Sequence, residues 1–333
     1  MIESHILGPL AAFGSSLTWA IASTWYSEAS QKYSGFSVNF TRALVALPLS
    51  VASAFIFAGG WSEGLALYQG LQWPQVGWLA LSMAAAYGVG DASFFAASRT
   101  LGLPAALAIA SCFPVWTLVA GFLWLNQVPT LQQLLGLLIS VTGISLVILL
   151  GRRSLPSTEP VQPHEPERVQ HANSNDDAVK PRAIVSSNPV RLMIPGSGVG
   201  LALLASIAWA INSFASSRGG VGISPHVGNS VRMLSALFFS GVLGRIFAPH
   251  SPRTLPLKAA LSMGWILIVE AYGGAFFYVY GLSHSPLALG AVLTSLAPIV
   301  SLPVSVVLGL EELSWARVLG VCLSVLGVCL LIL

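Results

Sequence analysis

The sequence predicts an all-α integral membrane protein with ten transmembrane helices, arranged as two inverted-topology five-helix repeats. Three observations carry this expectation. The chain is 55% hydrophobic and only 8% charged, against about 25% charged in an ordinary soluble domain, so a bilayer is its expected solvent. Its apolar residues fall into long continuous runs rather than the alternating pattern of a membrane barrel. Finally, the chain contains its own pattern twice.

The duplication is read from short anchors. Trp19-Ala20-Ile21-Ala22-Ser23 returns as Trp209-Ala210-Ile211-Asn212-Ser213. Twenty residues after each Trp comes an Asn-x-x-Arg, Asn39 to Arg42 and then Asn229 to Arg232. Ser111-Cys112-Phe113-Pro114 answers Ser295-Leu296-Ala297-Pro298, and Gly136 and Gly143 answer Gly320 and Gly327.

Taken in order, the runs are 6–28, 36–58, 74–98, 103–124 and 132–150, then 197–217, 226–248, 259–282, 286–309 and 314–333. Each has roughly the 20 residues that cross a hydrocarbon core of about 30 Å. The N-terminal Met1 to His5 lacks the basic segment of a secretory signal, so the first run is expected to be retained. Pro104, Pro114, Pro286, Pro298 and Pro303 fall in or at the start of spans four and nine, which predicts helices that bend beside a cavity. The glycines of spans five and ten fit close helix packing. Cys112, Cys322 and Cys329 read as small apolar residues, without disulfide or metal spacing.

Between the halves, 152–195 is rich in Pro, Ser, Asn, Asp and Glu. It buries too little apolar surface to offset its ordering entropy and is expected to be a disordered linker. The domains expected are therefore 1–151, the linker 152–195, and 196–333. His164 and His171 in the linker do not make a metal site. Five spans per half turn the second copy over in the membrane. Lys32, Arg99, Arg152, Arg153, Arg245, Arg253, Lys258 and Arg317 join the linker's own basic residues on one side, against Arg218 alone on the other. The positive-inside rule places the linker in the cytoplasm and both termini outside.

Four charged residues lie well inside the runs, away from Glu28, Arg245 and Arg317 near run ends: Arg42, Asp91, Arg232 and Glu270. Depth counted at about 1.5 Å per residue allows an Arg42–Asp91 ion pair. Arg232 lies about a turn from Glu270, leaving that carboxylate imperfectly paired and making it the candidate proton carrier. Intramembrane charges either lock helices together or meet a substrate. Arg42, Asp91 and Arg232 are thus candidate structural ion-pair residues. Substrate-binding candidates are Trp19, Ser23, Tyr87, Asp91, Trp209, Asn212, Glu270 and Phe277, because aromatic and small polar residues gather around the charges.

These residues carry a resemblance. The early Trp of each half, the Arg opening spans two and seven, the Pro of spans four and nine, and Leu308-Gly309-Leu310-Glu311-Glu312-Leu313-Ser314 followed by Gly320 and Gly327 resemble the drug/metabolite transporter superfamily, in its ten-helix EamA-like members. Gln127 stands where the first half should repeat that Glu. The resemblance implies two inverted repeats around a cavity walled chiefly by spans one, three, four, six, eight and nine. It implies transport of amino acids or similar small solutes, often outward. It also implies cytoplasmic termini, opposite to the loop charges.

The expected function is secondary transport of a small metabolite by alternating access, with efflux direction and proton coupling as finer expectations. The alternative is a passive channel or a structural or sensory membrane protein. No HExxH, phosphate-binding Gly-rich loop or Ser/His/Asp set occurs, so catalysis is not expected. His226 and His284, at helix starts, read as satisfied loop residues. No cofactor, metal or nucleic acid is called for. The expected partners are a small-molecule substrate and the lipid of the plasma (inner) membrane, and a homo-oligomer is compatible with the sequence.

Overall fold

The computed structural model describes residues 2–125, 128–151, 197–298, 300 and 315–332. The 152–195 linker with its two histidines, Gln127, Glu311 and Glu312 lie outside the described residues, as do the side chains of Pro104, Arg317 and Cys329. All regular structure among the described residues is helical.

The first half comprises α1 (Ile2–Lys32), α2 (Gly35–Ala58), the short α3 (Trp61–Gln69), α4 (Trp73–Leu101), α5 (Leu103–Ala110), α6 (Phe113–Leu125) and α7 (Leu131–Gly151). The second comprises α8 (Gly198–Gly219), α9 (Pro225–Phe247), the short α10 (Leu257–Ser262), α11 (Gly264–Ser283), α12 (Leu287–Thr294) and α13 (Trp315–Ile332). Seven helical spans are long and apolar enough to cross a membrane, among them Ala105–Trp124, which runs through α5 and α6. The other three expected spans are represented by α7, α12 and α13.

Local chemistry sets the helix ends. The Ser34 side chain accepts from the Ser37 N–H at 3.1 Å and starts α2. Gly59 closes it at φ +92°, left-handed backbone that glycine adopts without a Cβ clash. Ser197 caps α8 in the same way through the Gly200 N–H. The expected bends occur: turns at Ser111–Cys112 and Ser295–Leu296 interrupt the helices just before Pro114 and Pro298. Proline has no N–H to continue the ladder and disfavours helical backbone in the residue before it.

Helices of one half dock on helices of the other. α1 packs on α11 and α8 on α4; α2 packs on its counterpart α9, and α7 on its counterpart α13. The last contact is close because of glycine: a Cβ at Gly143 would lie 2.5 Å from the Gly320 carbonyl oxygen, and one at Gly327 would lie 2.3 Å from the Ser140 nitrogen. A core of Tyr26, Phe94, Phe95, Leu107, Trp209 and Ile266 spans both halves. The outer faces expose large apolar side chains, including Phe57, Phe122, Leu138, Leu234 and Phe238, a surface suited to acyl chains rather than water.

Candidate functional site

Two spans depart from α-geometry at corresponding places. α4 widens into π-helical turns over Ala84–Gly90, and α11 does so over Leu267–Gly274. Such turns release backbone groups from the regular ladder and recur at functional sites. The Tyr87 carbonyl, within the first of them, accepts from Asn39 Nδ2 at 2.9 Å. The fourth residue of the two segments is Tyr87 in the first and Glu270 in the second. Four residues further on stand Asp91 and Gly274.

Arg42 is the hub. It is 2% exposed, and its Nη1 donates to Asn39 Oδ1 at 2.9 Å, as three-residue helical spacing favours. The same nitrogen donates to Asp91 Oδ2 at 2.5 Å, while Nη2 donates to both Glu270 oxygens at 2.9 and 3.1 Å. The guanidinium also sits over three rings, 4.3 Å from the Tyr87 centroid, 4.6 Å from Tyr26 and 5.2 Å from Trp19. Its Nε has no hydrogen-bond partner among the described residues. Trp209 Nε1 donates to the remaining Asp91 oxygen at 2.9 Å. The two duplicated tryptophans meet edge to face, with centroids 5.7 Å apart. Gly90 makes room for this contact, since a Cβ there would lie 2.7 Å from the Trp209 ring.

The pairing differs from the sequence expectation in one respect. Glu270 is fully paired, on Arg42 of the other half rather than on Arg232. Depth counting placed Glu270 within a turn of Arg232 but could not place α11 against α2, and it is that packing which brings Glu270 to Arg42.

Arg232, 3% exposed, has no carboxylate partner among the described residues. Its Nε donates to Ser82 Oγ and its Nη2 to Asn212 Oδ1, each at 3.2 Å. Its guanidinium carbon lies 5.1 Å from the Tyr278 ring centroid. Nη1 has no hydrogen-bond partner among the described residues. Asn212 Nδ2 and Ser213 Oγ in turn hold the Tyr278 hydroxyl, each at 2.8 Å.

These groups line a half-open cavity of about 100 Å³, walled by Trp19, Tyr87, Asp91, Trp209, Asn212 and Glu270 together with both arginines. Ser111, Phe113, Thr294 and Ala297, flanking the two interrupted helices, also reach it. Ser23 and Phe277 stand apart. The Ser23 hydroxyl is fully buried and returns to the Ala20 carbonyl, whereas Phe277 is 41% exposed and faces outward. Tyr26, Asn39, Ser82 and Tyr278 belong to the site although the sequence reading did not assign them there. Tyr26 lies two helical turns from Trp19, a spacing that marks a shared face; nothing local flags Ser82. His226 bonds Ser53 Oγ at 2.9 Å and stacks on Phe57 and Phe276, and His284 stacks on Tyr280, all away from the cavity.

A model of the EamA-like transporter family matches residues 6–149 and again 196–333. No curated relative matches. A solved structure described only as "Crystal structure of protein" aligns with a TM-score of 0.65 at 16% sequence identity, covering 98% of this chain and 98% of that chain. At that identity the likeness concerns the fold alone.

Proposed function

The chain belongs to the EamA-like transporter family, and from that premise we propose that it is a secondary transporter which carries a small metabolite across the plasma membrane by alternating access. The family is one of multi-pass membrane transporters within the drug/metabolite transporter superfamily, not of enzymes. The observation that supports the reading most directly is the cavity, where Arg42 and Asp91 of the first half meet Arg232 and Glu270 of the second. Buried charges lining a cavity in a membrane protein mark substrate and ion pathways.

In this reading the chain has ten spans in two inverted five-helix repeats, 1–151 and 196–333, joined by the 152–195 linker. The repeats rock about the cavity, with the interrupted helices before Pro114 and Pro298 as moving walls. The solute is an amino acid or a compound of similar size, and net transport is outward. Trp19, Tyr87, Asp91, Trp209, Asn212 and Glu270 form its binding surface.

Proton coupling is assigned to the Arg42–Asp91–Glu270 cluster. With both carboxylates ionised it is one positive charge short, and a single bound proton balances it. Two carboxylates on one cation exchange that proton as a unit rather than individually.

Counterflow in proteoliposomes tests the carrier mechanism. Unlabelled solute loaded inside should accelerate entry of the same labelled solute. A rate indifferent to internal solute would mean a channel, and no solute-dependent flux at all would mean a structural or sensory protein.

A further inference from the structure

The four charges around the cavity sum to zero but are unevenly divided. Arg42 takes both carboxylates, leaving one surplus negative charge there and, among the described residues, no carboxylate to compensate the positive charge of Arg232. Arg42 and Arg232 are counterparts in the repeated Asn-x-x-Arg, yet they are unequally provided for. Arg42 meets two carboxylates, whereas the side chains that bond Arg232, Ser82 and Asn212, are both neutral. Arg232 keeps its alignment through Ser82, Asn212 and the Tyr278 ring, with Nη1 unpartnered among the described residues and the residue in the cavity wall.

A buried guanidinium without a counter-anion is expensive unless something else supplies one. We propose that the transported solute does so: Arg232 anchors a carboxylate of the substrate through Nη1, and the substrate class is small monocarboxylates. This rests on the transporter reading above. The single uncompensated charge favours a monoanion, because a phosphate dianion would place a second negative charge beside the already negative Arg42 cluster. The same cluster disfavours a further anionic group at the far end of the solute and accepts a neutral or cationic one. The volume, about 100 Å³, is on the scale of the roughly 150 Å³ cavity that takes up benzene, which suits a small solute.

The purified full-length protein in lipid nanodiscs is titrated calorimetrically with acids and their amides: L-lactate against lactamide, L-alanine against alaninamide, propionate against propionamide. Inorganic phosphate serves as the competing anion. At least one acid should bind the wild type about tenfold or more tightly than its amide, the scale of one charge-assisted hydrogen bond. Arg232→Gln should abolish that preference and Arg232→Lys should restore part of it. Amides binding as well as acids, no acid binding, phosphate binding better than every acid, or a preference unchanged in Arg232→Gln would each overturn the assignment. The acid–amide comparison on the wild type needs no variant, so it decides the matter even if Arg232→Gln fails to fold. Counterflow with the same solutes separates the two claims. Acid binding without counterflow removes the carrier and keeps the anchor. Counterflow of a neutral solute that Arg232→Gln leaves unchanged removes the anchor and keeps the carrier.

Discussion

Arg42 and Glu270, 228 residues apart in the chain, hold each other through two hydrogen bonds of 2.9 and 3.1 Å inside the helical assembly. The bond joins the second span of one repeat to the third of the other. Since Asp91 shares the same guanidinium, Arg42 is the member on which both carboxylates depend.

The first prediction is a ranking of stabilities. Arg42→Met leaves two buried carboxylates without a cation and should cost about 3–5 kcal/mol or more, the usual penalty for breaking a buried pair. Asp91→Asn should cost much less. Glu270 still neutralises Arg42, and the amide oxygen can still accept from Trp209. Thermal unfolding of the purified variants gives the order. Equal losses for the two would show that Glu270 does not share the load.

Glu270→Gln probes proton coupling. It leaves Arg42 and Asp91 as a balanced pair and keeps the shape and hydrogen bonding of the site, but removes the group that makes the cluster one charge short. Accumulation driven by a pH gradient should disappear from proteoliposomes while counterflow persists. Accumulation with the pH dependence of the wild type would rule out the cluster as the coupling site.

The glycine contact between α7 and α13 makes a third prediction. Gly143→Ala drives a methyl group into the Gly320 carbonyl and the Ser324 nitrogen, both 2.5 Å from the added carbon. Backbone cannot yield as a flexible side chain can, so the helices must separate, at about 1–3 kcal/mol. Gly77→Ala, where an added carbon meets nothing within 4 Å, is the control. It should leave the melting temperature unchanged or slightly raised, since alanine is the better helix former.

Sidedness is the fourth. From the loop charges, the 152–195 linker is predicted to be cytoplasmic. In Ser174→Cys, with the native cysteines replaced, a membrane-impermeant thiol reagent should label only permeabilised cells. Labelling of intact cells would mean that the family's orientation prevails over the charges.

Much of this architecture was readable in the chain, because a bilayer permits few solutions. Continuous apolar runs gave helices, and the paired prolines located the two breaks. The recurring Trp and Asn-x-x-Arg marked which helices correspond. Depth along a helix was also readable, which brought Arg42 and Asp91 together correctly. Rotation about a helix axis and the choice of neighbour were not. Glu270 therefore went to the wrong arginine, Phe277 was turned inward, and Ser23 was assigned to a cavity it does not reach. The π-helical turns had no local signature, since Ala84 to Gly90 and Leu267 to Gly274 are ordinary small and apolar residues apart from Tyr87, Glu270 and Tyr272.

Each repeat contributes one arginine and one carboxylate to the wall of the cavity, Arg42 with Asp91 and Arg232 with Glu270. Because Glu270 crosses over to Arg42, neither repeat by itself can reproduce this pattern of charge. A truncated chain that holds a single repeat, even one that inserts into the bilayer normally, should therefore lack the arrangement on which the proposed carrier depends.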